Sequence, residues 1–144
     1  MSDAPPDASG SAPARGQATV MREAHYPDRA PVEAYGNGGF RFAGMSHRGA
    51  IMCLPSGIYG WSPETASELF DVSLFDRAVS EGDELELLLV GTGDDLVPLT
   101  TEVRKHLTDA GVRTEVMSTG AAIRTFNVLL GEGRRVGTAL LPVG

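Results

Sequence analysis

Arg124, Thr125 and Asn127 are the residues of this chain whose types and spacing most ask for a chemical account. They interrupt a stretch, Thr119-Gly-Ala-Ala-Ile123 and Phe126 with Val128-Leu-Leu130, that is otherwise small or apolar. A helix of this composition packs on a sheet, and polar groups carried into such an interface must find partners. On a structural reading, Arg124 pairs with a carboxylate or carbonyl near the helix start and Asn127 bonds to backbone. On a functional reading, Arg124 offers a planar fork to a carboxylate or phosphate. Gly91-Thr92-Gly93 stands where a strand gives way to a helix, the place of a dinucleotide-binding glycine fingerprint. The match is incomplete, because Leu96 replaces the third glycine and Asp94-Asp95 sets negative charge where a pyrophosphate needs free amides. Those aspartates read as complements to a helix dipole. Gly91, Thr92, Gly93, Thr119, Arg124 and Asn127 therefore form one candidate ligand or partner site.

Other constellations fall short of chemistry. His25, His47 and His106 share no short spacing with one another or with Cys53, so no metal-ligand set is legible. Ser46-His47 lies between Gly44 and Gly49, one residue off a nucleophile elbow, and reads as a solvated loop. Asp71, Asp76, Glu81, Asp83 and Glu84 form an acidic face around a helix end. Cys53, the single cysteine, sits in Ile51-Met52-Cys53-Leu54 and reads as a small buried hydrophobe. Tyr59 and Trp61 lie close to turns and are candidates for an aromatic anchor or for burial. No catalytic set, cofactor motif or metal site emerges.

The elements that must position these residues follow from periodicity. Residues 1–31 are expected to be a disordered or extended tail, poor in apolar surface, with a single domain over 32–144. Tyr35-Gly-Asn-Gly-Gly39 supplies a tight turn, a strand near 39–45 follows, and His47-Arg48-Gly49 punctuates before a strand over 50–54. One or two short helices are expected between Ser62 and Gly82. The near-continuous apolar run 85–90 fits a central strand. Leu99, Val103, Leu107 and Ala110 keep helical spacing behind Pro98, and Gly111 suits the C-cap. A strand over 112–117, a helix capped by Ser118 or Thr119, and a last strand over 136–143 complete the chain. Alternating strands and helices predict an α/β three-layer sandwich around a largely parallel sheet.

At 144 residues the chain has the length of one ordinary domain. Its formal charge of -7 opposes binding to a phosphate backbone, so nucleic acid is not an expected partner. No window has the uninterrupted apolar length of a membrane span, and the N-terminus lacks a secretory or transit pattern, so a cytoplasmic location is expected.

Taken together, Tyr35-Gly-Asn-Gly-Gly-Phe-Arg-Phe-Ala-Gly44, Leu54-Pro-Ser-Gly57 with Trp61, Leu89-Val-Gly-Thr-Gly93 and Glu115-Val-Met-Ser-Thr-Gly-Ala-Ala-Ile-Arg-Thr-Phe-Asn-Val-Leu129 with Glu132-Gly-Arg-Arg-Val136 resemble one family. It comprises uncharacterised bacterial and archaeal proteins together with the mitochondrial respiratory complex I assembly factor 3. The resemblance implies a mixed sheet of about five strands whose last strand runs antiparallel to the others. It also implies that one eukaryotic relative assists assembly of a membrane-bound redox complex by binding proteins. A cysteine is usual in the family where this chain has Ile123, so the resemblance carries no thiol-based role to this helix. The expected function is that of a non-catalytic binding protein, an assembly or chaperone-like factor whose partner is another protein. The rival expectation is a small-molecule enzyme or sensor that holds an anion near Gly91–Gly93 and Arg124.

Overall fold

A computed structural model describes residues 25–144 of the protein; the part of the expected tail over 1–24 lies outside the described residues. Residues 25–31 run extended to the domain edge, where the backbone of Tyr26 exchanges hydrogen bonds with Ile58 and Ala30 is buried.

Three antiparallel strands come first: β1 (Val32–Gly36), β2 (Gly39–Phe42) and β3 (Met45–Arg48). Asn37 and Gly38, at φ 53 and 78, form the two-residue turn between β1 and β2 that their residue types favour. The single strand expected over 39–45 is instead β2 and the start of β3. Ala43 and Gly44 both adopt positive φ, 49 and 74, and reverse the chain there. His47 and Arg48 accordingly belong to a strand, not to a punctuating loop.

The second sheet has five strands in the order β5-β4-β8-β6-β7, with β4 Ile51–Leu54, β5 Gly57–Gly60, β6 Leu87–Gly91, β7 Thr114–Met117 and β8 Val136–Leu140. Three helices join them: α1 (Asp76–Ser80), α2 (Thr101–Asp109) and α3 (Thr119–Gly131). The mixed five-stranded sheet is as expected, but its antiparallel member is different. β8 runs parallel to β6 and antiparallel only to β4, so β4 is the strand that opposes the rest. The reason is the helical crossover: a strand reached through a helix packed on the sheet returns in the direction of the strand before it.

The same handedness rule arranges the layers. The chain steps outward from β6 to β7 through α2, then back past β6 to β8 through α3. Right-handed crossovers taken in opposite directions put their helices on opposite faces. Phe75, Ala78, Val103 and Leu107 accordingly pack with Leu88 and Val90 on one face, whereas Ile123 and Phe126 pack with Leu89, Leu140 and the β2 residues Phe40 and Phe42 on the other. Cys53, 2% exposed, belongs to the second cluster as expected, and burial pushes its thiol up to about 12.

Helix starts differ slightly from the sequence reading. Thr100 caps α2 by accepting from the Val103 N–H, so Pro98 lies ahead of the first turn. Asp94 and Asp95 also lie before this cap, and the acidic residue in the first turn is Glu102. Ser118 caps α3 through the Ala121 N–H.

Candidate functional site

The reversal of chain direction around β6 creates the crevice where open α/β sheets often receive ligands, beyond the carboxyl ends of the strands. Gly91, Thr92, Gly93 and Thr119 meet there. Thr119 is fully buried; its Oγ1 accepts the Gly93 N–H at 2.9 Å and donates to the Leu141 carbonyl at 2.8 Å, while its own N–H donates to the Gly93 carbonyl at 2.8 Å. Thr92 Oγ1 donates to the Asp95 carbonyl at 2.6 Å and accepts the Val97 N–H at 2.9 Å. The Thr92 N–H donates to Met117, and the Leu141 N–H to Gly91. These groups bond one another, and Gly91 allows the contact, since a Cβ there would stand 2.8 Å from the Thr119 Cα. The crevice is thus filled by a polar knot that ties β6, β8 and the start of α3 together.

Asn127 lies further along α3 and faces β1. Its Oδ1 accepts the Val32 N–H and its Nδ2 donates to the Val32 carbonyl, both at 2.9 Å. Arg124 points outward: it is exposed and makes no hydrogen bond or ion pair among the described residues. The structure therefore separates the six expected residues into a buried knot, a backbone clamp and one free cation.

The outward face of α3 carries a feature that the polar residues alone did not mark. Gly120, Arg124 and Val128 repeat every four positions and share one side of the helix. Val128 is 59% exposed, and Tyr35 from β1, 43% exposed, lays its hydroxyl over Gly120 beside an Arg124 guanidinium nitrogen. An aromatic ring, an arginine and an aliphatic side chain thereby form one stripe. The spacing of Gly120, Arg124 and Val128 was readable in the sequence, whereas the arrival of Tyr35 depends on packing of the small sheet.

The aromatic pair at the other end is mostly internal. Tyr59 is buried and Trp61 half-buried, with the Trp61 indole N–H donating to the Leu74 carbonyl at 2.8 Å and its ring edge-on to Phe75. Among the described residues no three His, Cys, Asp or Glu side chains are grouped to hold a metal ion, and no helix is long and apolar enough to cross a membrane.

Residues 32–141 match the model of a family described as protein of unknown function, DUF498/DUF598. An uncharacterised protein of Rhodobacter capsulatus is 39% identical over 122 residues, which are 85% of this chain and 92% of that one. The human NADH dehydrogenase (ubiquinone) 1 alpha subcomplex assembly factor 3 is 31% identical over 111 residues, 77% of this chain and 60% of the human protein, so the chain spans well under the full length of that relative. Among solved structures, a Bartonella henselae chain described as an outer membrane protein is 50% identical, with a TM-score of 0.79 over 83% of this chain and all of that one.

Proposed function

This chain belongs to the DUF498/DUF598 family, and from that premise we propose that it is a non-catalytic protein-binding factor, assembling or chaperoning a respiratory or other membrane complex from the cytoplasm. The human relative is named as an assembly factor, and the similarity to it runs through the folded domain, which supports carrying the general role across.

The observation that carries the reading is the α3 stripe. Tyr35, Arg124 and Val128 present the residue types that dominate binding energy at protein interfaces, at one exposed place. Arg124 is free to take a partner carboxylate. Asn127, Thr119 and Gly91–Gly93 act behind it: they hold α3 against the sheets so that the stripe is presented by a rigid element.

The test is affinity capture of the full chain from solubilised membranes of its source cells, with identification of what is retained. Subunits of one membrane complex are expected with the native chain and are expected to be lost with Arg124→Ala combined with Tyr35→Ala, two exposed changes that leave the fold intact. A chain that retains no protein but turns over a metabolite in a broad activity screen would overturn the proposal. Cell fractionation tests the location, with recovery in the outer membrane as the contrary result.

A further inference from the structure

On the side of the molecule where β3, β5 and α1 approach one another lies a cleft of about 450 Å³, lined by His25, His47, Arg48, Tyr59, Trp61 and Arg77, with Gly60 and Ser62. It has no part in the α3 stripe. In a chain of net charge -7 its lining carries two arginines, two histidines and no carboxylate. A concave surface of one sign, backed by apolar walls, concentrates field on whatever enters it.

The side chains are held, not merely gathered. The Arg77 guanidinium carbon stands 3.9 Å over the centre of the Tyr59 ring, a cation–π contact that fixes the charge at the cleft wall. The imidazoles of His25 and His47 lie 4.8 Å apart, and a backbone hydrogen bond with Ala50 steadies His47. Gly60 leaves the floor open. Its backbone is not in the left-handed region, so glycine is there for space: a Cβ would lie 3.0 Å from Nε2 of His25 and 3.2 Å from Cε1 of His47.

Tyr59, Gly60, Trp61, Ser62 and Arg77 also border a second lobe of about 510 Å³, whose lining adds Met52 and Leu74. That lobe contains Asp76. The two lobes thus differ in sign and polarity on either side of one aromatic wall.

We propose that this cleft binds a small organic anion, with its carboxylate or phosphate between Arg48, Arg77 and the histidine pair and its flat apolar body along Trp61 toward Met52 and Leu74. Arginine supplies the forked donors such groups select, and the Trp61 ring supplies a stacking face. Asp76 sets the orientation, since it repels the charged end from the apolar lobe.

Benzoate and phenyl phosphate serve as probes, titrated into the full chain while Trp61, the only tryptophan, reports by fluorescence. Saturable change is expected with either anion, but not with benzylamine or with chloride at equal ionic strength. Arg77→Gln and Arg48→Gln are each expected to weaken binding about tenfold, as loss of one charge-assisted contact does. Gly60→Ala, which fills the floor, is expected to weaken it as well, with a circular dichroism spectrum showing that the fold persists. Response to one anion alone identifies its head group as the one the site takes. No saturation by either anion, saturation by benzylamine, or unchanged affinity in both arginine variants would overturn the proposal.

Discussion

The side-chain amide of Asn127 closes both backbone hydrogen bonds of Val32, although the two residues are 95 positions apart. One side chain from the last helix thereby substitutes for a neighbouring strand at the outer edge of β1, and fixes the small sheet to α3. Removing it leaves a buried-side donor and acceptor open, which costs about 1–3 kcal/mol.

Asn127→Ala is therefore expected to lower stability by that amount. Asn127→Asp keeps the acceptor for the Val32 N–H but turns a carboxylate toward the Val32 carbonyl. Near neutral pH it is expected to be no better than alanine, and below about pH 4, where the carboxyl gains a proton to donate, it is expected to recover relative to alanine. Denaturant melts of the two variants at both pH values measure this, and a parallel pH response would contradict the clamp.

Gly91 and Gly120 are expected to respond oppositely to alanine. At Gly91 the added carbon meets the Thr119 Cα at 2.8 Å and the Leu140 Cδ2 at 2.9 Å, neither able to retreat without moving the knot. Such overpacking costs roughly 1–3 kcal/mol. At Gly120 the obstacle is the hydroxyl end of exposed Tyr35, which can swing aside, while alanine in a helix gains up to about 1 kcal/mol over glycine. Equilibrium unfolding should show Gly91→Ala clearly destabilised and Gly120→Ala near the parent.

Burial holds His47 below its ordinary value of 6.5, partly offset by its backbone hydrogen bond with Ala50. Below 6.5 the unfolded chain takes up a proton at this residue more readily than the folded one, so stability falls as the pH drops through that value; above it both states are neutral and the effect vanishes. His47→Gln is expected to flatten this part of the profile. The slope of melting temperature against pH in the two proteins gives the comparison.

The Cys53 thiol, pushed up to about 12, stays protonated at physiological pH and is shielded within β4. Only the thiolate attacks alkylating reagents. Iodoacetamide at about pH 8 is expected to leave the folded protein unlabelled and to add one group after denaturation. Rapid labelling of the folded chain would place the thiol elsewhere.

The sequence by itself determined the strand-and-helix alternation after residue 85, because long apolar runs and helical spacing report burial directly. It also determined the Asn37-Gly38 turn, since few residues tolerate those angles, and the inert character of Cys53. Tertiary structure decided the direction of β8, which depends on the crossover through α3 and leaves no local mark. It divided β2 from β3 at Ala43, a residue that rarely takes positive φ. The fate of the six candidate residues was likewise decided in three dimensions. Polarity told that Thr119, Arg124 and Asn127 needed an account, but their partners at Gly93, Leu141 and Val32 lie more than a helix length away in sequence. Which polar group is spent inside the molecule, and which is left for a partner, is a matter of distance between segments, and only packing sets that distance.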